Sequence, residues 1–167
     1  VLAGAHQGLD LTANVFAARL SEAALFEDPT YPGAVTLFRA KHFVPMEEDG
    51  PKLSALKRML QNGIRLFYAM PAVHNPTGVA YSRKKKEAVV DLVHRFGVTI
   101  IEDDYQSEFS SSAAPRFVDL LPEQTLYIKS LAQATASGLR IGFMIVPEAL
   151  FDKFRYAKYS ADIVSAG

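Results

Sequence analysis

VTIIEDDYQSEF, residues 98–109, joins an apolar, β-branched run to three consecutive carboxylates and a tyrosine. The run at 98–101 fits a buried strand. Carboxylates crowded at its end are costly unless they are solvated or answer a cation. In open α/β sheets ligands bind outside the carboxyl ends of the strands, so a polar strand end of this kind is where chemistry should be sought.

Working outward, similar apolar runs lie at 1–3, 23–27, 41–46, 64–70, 125–128 and 140–146. Helical patterns separate them. Over 7–20, Leu9, Ala13, Phe16 and Leu20 recur at helical spacing. The stretch 51–63 has Pro51 in its first turn and Gly63 just past its end. Over 82–97, Ser82 is the expected N-cap and Gly97 the C-cap, with Val89, Leu92, Val93 and Phe96 forming the apolar stripe. A last helix covers 148–160, and 110–115 reads as a loop. Strand–helix alternation of this kind predicts an α/β fold with a largely parallel sheet.

The bulk numbers narrow the function. At 167 residues the chain is about one domain, and its 18 basic residues balance 18 acidic ones. Neutrality gives no reason to expect direct nucleic-acid contact by this segment. The basic run 83–86 reads as a solvated helix face. Cysteine is absent, which removes thiol chemistry and favours a reducing compartment. No apolar run reaches the roughly 20 residues of a membrane span, so a cytoplasmic domain is expected. Both ends look cut, as in a piece of a larger protein.

Four more polar segments follow apolar runs or open helices: GAHQG (4–8), EDPTYPG (27–33), VHNPTG (73–78) and KSLAQATASGLR (129–140). Alone, NPTG could be only a turn, His6 a turn residue, Tyr31 a packing residue, Asp103 a solvated carboxylate and Arg140 half of a surface ion pair. In this order, however, the motifs resemble the fold-type I pyridoxal-phosphate enzymes. The likeness is greatest to class I/II aminotransferases, and among them to the aminotransferase-like domain of MocR-type regulators, a subfamily of the GntR regulators. It runs from Val1 to about Pro147.

The resemblance implies a three-layer α/β/α domain with a mostly parallel, seven-stranded sheet whose last strand, 140–146, is antiparallel. Residues 1–147 would be the large, cofactor-binding domain, and 148–167 a helix leading toward a small domain. The implied cofactor is pyridoxal 5'-phosphate. Ala5 and His6 would cradle its phosphate at a helix N-terminus, with Ser130 and Arg140 completing that site. Tyr31 would stack near the ring, and Asn75 and Tyr105 would reach its phenolic oxygen. Asp103 would pair with the pyridine nitrogen and keep it protonated. Glu102 and Asp104 are expected to be structural. An amino acid is implied as substrate or effector, and a homodimer as the assembly.

One position departs from the pattern. The family's Schiff-base lysine falls where this chain has Gln133, with Ala132 and Ser137 replacing the usual serine and proline nearby. An amide nitrogen is not nucleophilic and cannot shuttle a proton. Lys129 lies four residues earlier, with a different side-chain direction. Three readings follow: the sensing domain of a MocR-type regulator, whose DNA contact belongs to a separate winged-helix domain; the core of a genuine aminotransferase; or a ligand-free structural or dimerisation module. Gln133→Lys is expected to give a yellow, borohydride-reducible attachment of pyridoxal phosphate. A colourless, folded Gln133→Lys protein would mean that the lysine position lies elsewhere.

Overall fold

The apolar runs become the strands of one sheet, and the helical patterns become its two covers. The computed structural model describes residues 1–17, 23–109, 114–131 and 140–161. In chain order the elements are α1 (Ala5–Ala17), β1 (Ala24–Asp28), α2 (Pro32–Val35), β2 (Lys41–Glu47), β3 (Gly50–Pro51), α3 (Leu53–Gln61), β4 (Leu66–Ala69), α4 (Arg83–Phe96), β5 (Thr99–Asp104), α5 (Phe117–Leu120), β6 (Thr125–Ser130), β7 (Gly142–Ile145) and α6 (Glu148–Ala161). The sheet order is β3-β2-β1-β4-β5-β6-β7. From β2 to β6 every neighbouring pair is parallel; β3 and β7 close the two ends antiparallel. The chain reverses direction across the sheet between β1 and β4, where a ligand crevice is expected in a doubly wound sheet.

Strand alternation sorts the core into two layers. Phe26, Leu66, Tyr68, Ile101, Leu126 and Ile128 pack with Leu9 and Ala13 of α1 and Phe154 of α6. Leu25, Val44, Phe67, Ala69 and Ile100 pack on the other face with Leu56 and Leu60 of α3 and Val89 and Val93 of α4. The arrangement is the expected three-layer α/β/α, with β4 and β6 buried along their whole length.

Local capping follows the sequence closely in α4. The Ser82 hydroxyl accepts from the Lys85 N–H at 3.0 Å, and Gly97 ends the helix at φ +62°. Three expectations are corrected. The run 1–3 is not a strand: Leu2 makes only an isolated bridge to Gly142, and the chain turns into α1 at Ala5. Pro51 lies in the two-residue edge strand β3, not in the first turn of α3, and β3 supplies the seventh strand instead. The basic run is not a solvated face throughout. Lys85 and Lys86 are buried, Lys85 pairing with Glu47 at 2.6 Å and Asp49 at 3.0 Å, Lys86 donating to the Pro115 carbonyl at 3.0 Å. Long stems let these lysines lie along apolar surface while their ammonium groups find acceptors.

Ser82→Ala is expected to lower stability by about 1 kcal/mol in urea unfolding. Lys84→Ala, on the exposed face, should change it by less than about 0.5 kcal/mol.

Candidate active site

The end of β5 decides the chemistry. Side chains alternate across a strand, so the three adjacent carboxylates cannot share one fate. All three are buried: Glu102 is 1 %, Asp103 4 % and Asp104 2 % exposed. Solvation therefore plays little part, and each must be answered from within.

Glu102 and Asp104 turn to the α4–α5 side. Glu102 accepts the backbone N–H groups of Phe117 and Val118 at 3.0 and 2.9 Å, tying β5 to the start of α5. Burial still pushes its carboxyl up to about 7, against those two N–H groups and Lys86. Asp104 accepts from the Tyr127 hydroxyl at 2.6 Å and from Lys129 at 3.0 Å. Burial would raise its pKa, but the hydrogen bonds from Tyr127, Ser107 and Lys129 hold it below the ordinary value. Lys129 also reaches Ser107 at 2.9 Å and Glu108 at 2.8 Å, fixing the loop that carries Tyr105. Both carboxylates are structural, as expected, and Lys129 points away from the pocket described next.

Asp103 turns to the α1 side. The Tyr68 hydroxyl donates to its Oδ2 at 2.7 Å, while Oδ1 is buried with no hydrogen-bond partner among the described residues. Burial raises its pKa to about 6, Tyr68 opposes the rise, and Asp104 and Glu27 add to it. A buried acceptor left open is expensive and calls for a donor. Asp103 lines a cavity of about 340 Å³, within the range of small-molecule sites.

That cavity gathers every one of the eight candidate cofactor residues. Ala5 and His6 are the first residues of α1, Tyr31 leads into α2, Asn75 follows β4, Asp103 and Tyr105 close β5, Ser130 ends β6, and Arg140 precedes β7. Leu9 and Met70 complete the lining. Gln133, the candidate for the lysine position, lies outside the described residues, as do Ala132 and Ser137.

The lining is mixed in character. It includes the N-terminus of a 13-residue helix, a site of partial positive charge. The Arg140 guanidinium lies against the backbone just before it. A Cβ on Gly4 would come within 3.1 Å of Arg140 Nη2, and Gly4 has φ +85°, so glycine permits this approach. Arg140 itself sits at φ +51°, the one non-glycine in the left-handed region among the described residues. This part of the lining suits a phosphate or another oxyanion. The same cavity is also lined by Asp103, Asn75 and Tyr105, which carry groups able to hydrogen-bond a ligand, and by Tyr31.

The asparagine is held by the turn around it. His74 N–H donates to the Val79 carbonyl at 2.9 Å, Gly78 N–H to the His74 carbonyl at 2.7 Å, and the His74 ring meets Thr77 Oγ1 at 2.8 Å. Behind it, Glu27 accepts from the Tyr81 hydroxyl and from Met70 N–H, fixing the ends of β1 and β4 together. Sequence reasoning missed Tyr68. The available signal was a tyrosine inside a buried strand run, whose hydroxyl must find a partner.

Asp103 has a folded value above the ordinary 3.8, so the folded chain keeps its proton where the unfolded chain has lost it. Its contribution therefore falls as pH rises from about 4 to about 6. Asp103→Asn is expected to stabilise the ligand-free chain by roughly 2 kcal/mol at pH 7, with the gain gone at pH 4, in urea unfolding at both. Lys129→Met should do the opposite, costing about 3 kcal/mol at pH 7 by leaving Asp104 buried without its cation.

Comparison with known proteins fits this geometry. The family model described as aminotransferase class I and II matches residues 1–161. The chain is 33% identical over 98% of its length to a 2-aminoadipate transaminase of Thermus thermophilus, and 34% identical over 72% to an HTH-type transcriptional regulator, YcxD, of Bacillus subtilis. It spans 44% and 28% of those two proteins, less than half of either. The crystal structure of the α-aminoadipate aminotransferase of Thermus thermophilus, complexed with N-(5'-phosphopyridoxyl)-L-leucine, superposes with a TM-score of 0.87. That match has 29% identity and covers 99% of this chain and 45% of the other. With a superposition of this quality and a family match over nearly its whole length, the chain belongs to the class I and II aminotransferases.

Proposed function

We propose that this chain is the pyridoxal 5'-phosphate-binding domain of an aminotransferase-like protein, and that it holds the cofactor without a covalent link. The observation that carries this reading is that Asp103, whose buried Oδ1 has no partner among the described residues, lines the same cavity as a helix N-terminus and Arg140. A protonated pyridine nitrogen is the donor Asp103 lacks, and a phosphate is the anion that the helix N-terminus and Arg140 suit. When bound, the cofactor supplies an electron sink for chemistry at an amino acid's α-carbon.

The chain's own residues divide the work. Asp103 keeps a proton on the ring nitrogen, and Asn75 and Tyr105 hydrogen-bond the phenolic oxygen. Tyr31 covers the ring. Ser130, Arg140 and the N–H groups that begin at Ala5 and His6 hold the phosphate. Gln133, at the position where the lysine is expected, can offer hydrogen bonds but neither a nucleophile nor a proton shuttle. Retained binding without the reactive amine favours sensing over turnover. We therefore read the parent protein as a MocR-type regulator in the cytoplasm. This domain would receive an amino-acid-like effector, act as a homodimer, and leave DNA contact to another domain. The similarity to the regulator YcxD supports this. A second reading, the core of a working aminotransferase, is favoured by the 33% identity to the 2-aminoadipate transaminase over nearly the whole chain.

Titration with pyridoxal 5'-phosphate, followed by absorbance and calorimetry, is expected to show saturable binding not trapped by borohydride. Arg140→Ala should weaken it by about 10- to 100-fold, as for loss of a charge-assisted phosphate contact. Absence of saturable binding would leave only the structural-module reading. In the parent protein, transamination of 2-aminoadipate above background would decide for the enzyme, and effector-dependent DNA binding for the regulator.

A further inference from the structure

Asp103 can serve a ring nitrogen only if it is ionised and only if one oxygen faces the cavity. Burial works against the first condition, and nothing in the carboxyl group itself ensures the second. Tyr68 bears on both. It is fully buried in the middle of the sheet, on β4 beside β5, and its hydroxyl donates to Oδ2 at 2.7 Å. With Oδ2 occupied, Oδ1 is the oxygen left without a partner among the described residues, on a residue that lines the pocket. Resting on the cofactor reading above, we propose that Tyr68 is a positioning residue of this site: its O–H holds one oxygen of Asp103 so that the other faces the cofactor's ring nitrogen as a charged acceptor.

The surroundings give Tyr68 this role by default. The other charged groups acting on Asp103 are Asp104 on its own strand β5, Glu27 of β1 and Lys129 of β6. Glu27 and Asp104 disfavour its charge. Lys129 favours it, but its ammonium is spent on Asp104, Ser107 and Glu108 on the opposite face. His6, Arg140, Tyr31 and Tyr105 share the cavity, yet no hydrogen bond from them to Asp103 is seen. Tyr68 is thus the donor in contact. Without it, a buried Asp103 is better accommodated as the neutral acid. That form would present an O–H where the ring nitrogen needs an acceptor.

The test compares the unaltered chain with Tyr68→Phe and Asp103→Asn, using pyridoxamine 5'-phosphate labelled with ¹⁵N in the ring as the probe. Its ring-nitrogen shift reports protonation in the complex from pH 5.5 to 9. In Tyr68→Phe the ring nitrogen is expected to lose its proton about one pH unit lower, with affinity at pH 8 reduced about tenfold. Inorganic phosphate, which engages only the helix N-terminus and Arg140, should bind both proteins equally. Tyr68→3-fluorotyrosine keeps the ring and hydroxyl but donates more strongly, so it should not move the nitrogen's titration downward, even if the phenylalanine variant folds poorly. A lower titration in the fluorotyrosine protein would overturn the proposal. So would an unchanged titration in Tyr68→Phe alongside a lowered one in Asp103→Asn, leaving the cofactor reading intact. If the unaltered chain does not bind the probe, or Asp103→Asn leaves the titration unmoved, the cofactor reading itself falls and this inference with it.

Discussion

The site depends on a carboxylate enclosed by protein with one of its oxygens unanswered. Leaving such an acceptor inside a fold costs free energy, and the cost must be met by contacts that have nothing to do with the acceptor. Here the surrounding sheet meets it. Asp103 sits on β5, the strand flanked by β4 and β6, both buried along their length. Its position is set by backbone pairing on both sides, so the side chain cannot escape to solvent by a local shift. A strand at the edge would relax; a central one holds the strain.

The neighbours of Asp103 in sequence make that possible. Glu102 fastens the strand to α5 through two backbone N–H groups, and Asp104 fastens it to β6 through Tyr127 and Lys129. Both lie on the side away from the pocket. A run of three acids that looks like one electrostatic feature in the sequence is thus two anchors and one working group. Alternation separates them: charge repulsion between adjacent residues is lessened because they point through opposite faces. The same logic separates Lys129 from Ser130 on β6, one serving the anchor and the other the pocket.

Much of this was legible beforehand, and the reasons are specific. Strand and helix order could be read because short continuous apolar runs such as 64–70 mark buried strands and the 3.6-residue period is clear in 82–97. The polar segments that line the pocket could be found because they sit just past strand ends, where a parallel sheet gathers its loops; the individual residues were named through the resemblance to the aminotransferases. What stayed hidden depended on long-range partners. Lys85 and Lys86 read as exposed because a charge run carries no sign of the Glu47, Asp49 and Pro115 acceptors that receive it. Gly50–Pro51 carried no strand signal at all, its pairing being imposed by β2. Tyr68 was visible as a tyrosine in a core strand, but its partner lies 35 residues away.

The two ends of the sheet have a consequence for how copies of this chain can meet. At one end the outermost strand is two residues long and finishes in Pro51, which has no N–H to offer a newcomer. At the other, Leu2 exchanges both backbone hydrogen bonds with Gly142 at 2.8 and 3.0 Å and occupies that part of β7. Among the described residues the two outermost strands are two and four residues long, so each offers only a short ladder to strand addition.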